Sequence, residues 1–176
     1  MPANVLAAGP PLVVVMGVSG SGKNTIGALL ADALGVAFID GDSLHSSTNV
    51  AKMATGTPLT DDDRWPWLAK VGRTLAEAGS TGLVVACSAL RRVYRDAILS
   101  EAPAVVFLYL AGSRAVLESR LEGRSGHFMP VSLLDSQLSV LEPLQPDEAG
   151  FVVGIDASIA EVVEDAVAQL RTVMTT

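Results

Sequence analysis

The sequence predicts an α/β fold in three layers, with a five-stranded parallel sheet covered on both faces by helices. Two observations carry that reading. Five short runs, at 11–16, 36–39, 83–87, 104–110 and 151–155, alternate with segments of helical periodicity. The runs are also predominantly apolar, as expected of parallel strands shielded from water on both sides. The 176 residues, 49% hydrophobic and 18% charged, suit a single domain spanning 1–176 with a sizeable core.

The first run, Pro11-Leu12-Val13-Val14-Val15-Met16, leads into glycine-rich residues and then a helix over Lys23–Leu34, closed by Gly35. After the second strand, a helix is expected over Pro66–Ala78, with Trp67, Leu68, Val71 and Leu75 on one face. Pro66 suits the first helical position, which makes Asp61-Asp62-Asp63-Arg64 a charged turn before it. Further helices are expected at 90–99, 113–123, 131–141 and 158–173. No repeat or linker interrupts the alternation, and Gly123 to Pro130 reads as part of a mobile lid over roughly 120–132.

No continuous apolar run approaches the length of a membrane span, so no membrane partner is expected. The stretch up to Gly9 lacks a basic start followed by a longer apolar run and does not read as a signal peptide. Lone Cys87 cannot form an intrachain disulfide and agrees with a cytoplasmic location. The net charge of −7 arises C-terminally, where residues 131–176 carry Arg171 against eight acids. Six of the twelve basic residues cluster as Arg91, Arg92, Arg95, Arg114, Arg120 and Arg124. An acidic chain with a local arginine cluster suits a small anionic ligand; nucleic acid would demand a broad basic surface.

The run Gly17-Val18-Ser19-Gly20-Ser21-Gly22-Lys23-Asn24-Thr25, between strand and helix, has the form of a P-loop. Its backbone N–H groups and the positive helix end suit phosphate oxygens, and Lys23 adds a point charge at the β- and γ-phosphates. Gly17, Ser19, Gly20, Ser21, Gly22, Lys23, Asn24 and Thr25 are therefore expected to bind ATP. One position departs from the pattern: Asn24 stands where a Ser or Thr hydroxyl would ligate Mg²⁺. An amide oxygen is a less common ligand for that ion, so a displaced or water-bridged Mg²⁺ is expected.

Downstream, Asp40-Gly41-Asp42 leaves the end of the second strand, the edge where open α/β sheets bind ligands. Asp40 is expected near the Mg²⁺ water shell and Asp42 near an attacking hydroxyl. The competing reading is an Asx turn that only caps a helix.

The P-loop, Asp40-Gly41-Asp42-Ser43-Leu44-His45, Asn49-Val50-Ala51-Lys52-Met53, Gly56-Thr57-Pro58-Leu59-Thr60-Asp61-Asp62-Asp63-Arg64, Pro66-Trp67-Leu68, Cys87-Ser88-Ala89-Leu90-Arg91-Arg92, Tyr94-Arg95-Asp96 and Gly126-His127-Phe128 follow one another in order. Together they resemble the bacterial gluconate kinases of the small P-loop type. The resemblance implies a nucleoside-monophosphate-kinase-like fold, ATP-dependent phosphorylation of D-gluconate at its 6-hydroxyl, and commonly a homodimer. Lys23, Asp42, Arg120 and Arg124 are then the catalytic candidates, the two lid arginines clamping the γ-phosphoryl group. His45, Arg64, Arg95 and His127 join Asp42 as candidate substrate contacts, against competing readings in which His45 only braces the second helix and Arg64 only pairs with Asp61 or Asp62; at most one of Arg91 and Arg92 is expected to face the pocket. Two alternatives stay open: another small-metabolite kinase, such as a shikimate kinase, and a nucleotide-binding module whose turnover Asn24 impairs.

Overall fold

The computed structural model describes residues 9–122 and 131–175. In chain order these form β1 (Leu12–Met16), α1 (Lys23–Leu34), β2 (Ala37–Asp40), a 3-10 turn (Gly41–Leu44), α2 (Ser47–Ala54), α3 (Asp61–Glu77), β3 (Leu83–Ala86), α4 (Arg92–Glu101), β4 (Val106–Ala111), α5 (Arg114–Glu122), α6 (Val131–Val140), β5 (Gly150–Gly154) and α7 (Ile159–Met174). The strands pair in parallel in the order β2-β3-β1-β4-β5. Every expected strand is present, within two residues of its expected ends.

Central β1 shows why the chain takes this form. Successive side chains on a strand point to opposite faces. Val13 and Val15 therefore enter one apolar layer with Ile26 and Leu30 of α1 and Val162, Ala166 and Leu170 of α7. Leu12, Val14 and Met16 enter the other, with Leu68, Val71 and Leu75 of α3 and Ile98 of α4. A strand buried on both sides must be apolar throughout, and Val13 to Met16 are fully buried. Because all five strands run the same way, their carboxyl ends open onto one edge. The glycine-rich loop, the Asp40–Asp42 turn and the segment after β3 all leave from that edge.

Helix α3 corrects the expectation that Pro66 opens it. The helix begins five residues earlier and carries Pro66 inside. Thr60 accepts a hydrogen bond from Asp63 N–H while the Asp63 carboxylate accepts one from Thr60 N–H, a capping box that satisfies two otherwise unpaired donors. Three acids in the first turn also favour that start through the helix dipole. The cap outweighs the single internal hydrogen bond that proline forgoes. Helix α2 has no counterpart among the expected ranges, because its eight residues carry too few apolar positions to show a period.

Lys52 of α2 donates to Asp63 at 2.8 Å, tying the two helices together. That hydrogen bond and those to Thr60 hold the Asp63 carboxyl at about 2, below its ordinary 3.8. A depressed pKa contributes stability above the unfolded value and loses it as pH falls through the folded one. Thr60→Ala is expected to cost about 1 kcal/mol in denaturant unfolding. No effect would return the helix start to Pro66. Lys52→Met is expected to lose less stability than the parent between pH 3.8 and about 2. Parallel stability curves across that window would remove the pair from the account.

Candidate active site

Helix α1 starts without a side-chain cap, its N-cap Gly22 holding a left-handed φ of +91°. The first-turn N–H groups are thereby left to point out of the helix end, as an anion site requires. Ser21 turns its hydroxyl onto Val18 O at 2.7 Å, and Lys23 Nζ donates to the same carbonyl at 3.1 Å. Gly17 N–H donates to Ser88 O, which joins the loop to the exit of β3. Arg120 of α5 reaches over the loop: Nη2 donates to Ile155 O at 2.7 Å and Nη1 lies 3.5 Å from Ser21 O. Its guanidinium thus sits beside the glycine-rich loop. Arg124 and His127, with most of the expected lid, fall outside the described residues.

One contact to the loop had no signal in the sequence. Gln137 of α6 accepts from Ser19 N–H at 2.7 Å and donates to the Ser19 hydroxyl at 3.0 Å. The residues are 118 positions apart, and nothing local marks the pair.

The two aspartates after β2 divide their tasks. Asp40 accepts from Asp42 N–H through one oxygen and from Asn24 Nδ2 through the other, at 3.0 and 3.1 Å. It therefore does cap the 3-10 turn, as the Asx-turn reading expects, and it also engages the departing residue of the P-loop. The Asp42 side chain is 78% exposed. Crowding by the surrounding protein and the charge of Asp40 push its pKa upward, against the pull of His45 and Lys23. Gly41 between them has no room for a side chain: a Cβ would lie 2.4 Å from Ala86 O. The turn is pressed onto the end of β3.

His45 takes the bracing position that its competing reading describes. Its side chain is 3% exposed, stacked on Trp67 at 4.0 Å, with Nε2 3.9 Å from Asp42 Oδ1. Burial lowers its pKa, and Arg64 lowers it further against the attraction of Asp42. It braces the turn and addresses Asp42 with one ring edge.

Arg64 and Arg91 meet on a single carboxylate. Asp61 accepts from Arg64 Nη1 and Arg91 Nη1, each at 3.2 Å, and from the Tyr94 hydroxyl at 2.6 Å. Both guanidinium carbons lie 5.5 Å from the Tyr94 ring centre. The Tyr94 hydrogen bond and the two positive charges hold Asp61 below the usual carboxylate range. Arg91 is the extended N-cap of α4, whereas Arg92 opens the helix and turns away to Asp147 at 2.7 and 2.9 Å, so only the first of the two joins this cluster.

Arg95 corrects the expectation of a substrate contact. It is fully buried, its Nε and Nη2 donating to Glu148 and its Nη1 to Ala89 O. Burial raises the Glu148 pKa, but the hydrogen bonds from Arg95 and Gln145 N–H outweigh it and the net shift is downward. No donor remains for a substrate on the ion-paired edge. The bond to Ala89 also holds that residue at φ +44°, a left-handed conformation costing a non-glycine residue roughly 1–2 kcal/mol. Cys87 nearby is buried, with its thiol pushed up to about 12, which excludes it as a nucleophile.

Residues 12–144 match the family model described as an AAA domain. The chain is 45% identical to the thermosensitive gluconokinase of Escherichia coli (strain K12) over 155 residues, 86% of this chain and 82% of that protein. It superposes on the crystal structure of a gluconokinase from Sinorhizobium meliloti 1021 with a TM-score of 0.87 and 47% identity, covering 94% of each chain. With the shikimate kinase of Aquifex aeolicus it shares the fold alone: TM-score 0.58 and 15% identity, over 91% of this chain and 96% of that one.

The two kinds of arginine are expected to separate in a stability assay. Arg95→Ala strands a buried carboxylate and is expected to cost about 3–5 kcal/mol in denaturant unfolding. Arg64→Ala breaks a half-exposed pair and should cost about 1 kcal/mol or less. Equal losses would contradict the division between a buried and a half-exposed ion pair.

Proposed function

This chain belongs to the gluconokinase family, and on that premise we propose how its residues divide the work of moving a phosphoryl group from ATP to gluconate. The reaction is that of a phosphotransferase with ATP as co-substrate. The observation that carries the residue roles is a juxtaposition at one sheet edge. A phosphate cradle, an exposed carboxylate at Asp42 and a pair of arginines already closed on a carboxylate stand together there.

The P-loop amides and Lys23 hold the phosphates, and Arg120 lies beside them, able to stabilise charge on the transferred group. Asp42 accepts the proton of the 6-hydroxyl as that oxygen bonds to the γ-phosphorus and the bond to the departing ADP oxygen breaks. Arg64 and Arg91 take the substrate carboxylate, a role supported by their convergence on the carboxylate of Asp61.

Asp40 offers hard carboxylate oxygens beside the phosphate cradle and would hold Mg²⁺ there, directly or through water. That ion would neutralise charge on the β- and γ-phosphate oxygens. Here Asn24 points its NH₂ at Asp40, so its contribution is to orient Asp40. Asn24→Ser releases that carboxylate oxygen and supplies the usual hydroxyl.

A cytoplasmic homodimer completes the proposal. Among the described residues no helix is long and apolar enough to cross a membrane, and the buried, unreactive Cys87 suits a reducing compartment.

An ADP-release assay over a panel of acceptors tests the substrate. D-gluconate is expected to exceed shikimate, glucose and nucleoside monophosphates in kcat/KM. Shikimate turnover at an equal or higher value would overturn the assignment, and no turnover of any acceptor would favour a nucleotide-binding module. Asp42→Asn is expected to lower kcat at least about a hundredfold with little change in Tm. Near-parental kcat would reduce Asp42 to a turn residue. In a magnesium titration, Asn24→Ser is expected to need less Mg²⁺ for half-maximal activity, and superimposable curves would separate position 24 from the metal.

A further inference from the structure

The hydrogen bonds around Asn49 decide which nitrogen of His45 carries its proton. Asn49 lies on α2, 5% exposed, its backbone N–H taken by the Ser46 cap. Its side-chain amide bridges two groups. Nδ2 donates to Asp63 O at 2.9 Å and lies 3.3 Å from His45 Nδ1.

A backbone carbonyl can only accept, so the amide must turn its NH₂, not its oxygen, toward Asp63. The same NH₂ then faces His45 Nδ1, which has to be the acceptor. A neutral imidazole carries one proton, and it is therefore on Nε2. Stacking on Trp67 at 4.0 Å fixes the ring plane, and Nε2 faces Asp42 Oδ1 at 3.9 Å. We propose that Asn49 is a positioning residue for the transfer reaction, holding His45 in its Nε2–H tautomer so that it directs a donor at Asp42.

The consequence is directional. At 3.9 Å the Nε2–H is beyond hydrogen-bond length, and it acts on the carboxylate as the positive end of a dipole that favours the orientation of Asp42 toward the ring. The opposite tautomer would point a lone pair at the carboxylate and push it out of line. Two other charged groups bear on the ring: Asp42 on its own turn favours a second proton, and Arg64 on α3 opposes one. Burial also opposes it, and the neutral ring on which the tautomer argument depends is the favoured form.

This inference rests on Asp42 as the proton acceptor, yet the tautomer can be read without turnover. His45 and His127 are the two histidines of the chain, so ¹⁵N-labelled imidazole spectra of the parent and of His127→Gln assign His45 outright. The expected spectrum has a protonated Nε2 and an unprotonated Nδ1 at neutral pH. A protonated Nδ1 in the folded parent would overturn the proposal, whatever the kinetics of Asp42→Asn. Asn49→Asp offers Nδ1 an acceptor and is expected to reverse the tautomer. Its kcat should fall about 10- to 100-fold, the size of loss seen when an orienting partner is removed, with the KM for gluconate within about threefold of the parent. Asn49→Gln, which keeps an amide NH₂ for Nδ1, is expected to keep the Nε2–H signal and most of kcat. A reversed tautomer with unchanged kcat would also overturn it.

Discussion

A buried hydrogen bond from Trp67 Nε1 to Gly41 O, 2.8 Å long, holds the site together. Trp67 belongs to the apolar layer between α3 and the sheet, so the indole cannot shift without disturbing the core. Its N–H fixes the turn that carries Asp40 and Asp42, and its face supports the His45 ring. On the other side the turn rests against Ala86 O at the end of β3, with only a glycine between them. The carboxylates are thus placed by packing on two sides. Their positions follow from core geometry, which is far stiffer than a free loop.

Charge completes what packing begins. The chain is acidic overall, at −7, yet it concentrates cations where a small anion would enter. Two guanidiniums brought together repel unless an anion lies between them, and Asp61 supplies that anion from within the chain. On the proposed roles, this arrangement would hold Arg64 and Arg91 ready for a substrate carboxylate and so reduce the ordering cost of binding. Tyr94 shares the same carboxylate and holds both arginines beside its ring.

Much of this was visible in the residue order. The P-loop announced itself through its glycines between an apolar strand and a helix, and the strands through short apolar runs, although edge strands β2 and β5 proved partly exposed. Asp40 and Asp42 could be placed at the ligand edge because parallel topology puts every strand's carboxyl end there. What could not be read depended on contacts between distant segments. Arg95 looks like its neighbours in sequence, and only Glu148, 53 residues away, turns it into an interior ion pair. Sequence left His45 between a substrate contact and a helix brace, and only Trp67 and Asn49, distant in the chain or hidden in its fold, show how it is enclosed. Pro66 misled because a local rule about proline competed with the capping box six residues upstream, and the cap prevailed.

The central claim is that one end of the acceptor is recognised by its charge, by Arg64 and Arg91, while the other end meets Asp42. Comparing D-gluconate with D-sorbitol, which has the same row of hydroxyls and no carboxylate, isolates that recognition. The parent is expected to prefer gluconate in kcat/KM by about a thousandfold or more, and the Arg64→Leu/Arg91→Leu double variant to lose most of that preference through gluconate alone. A double variant that still discriminates as the parent does would contradict the account.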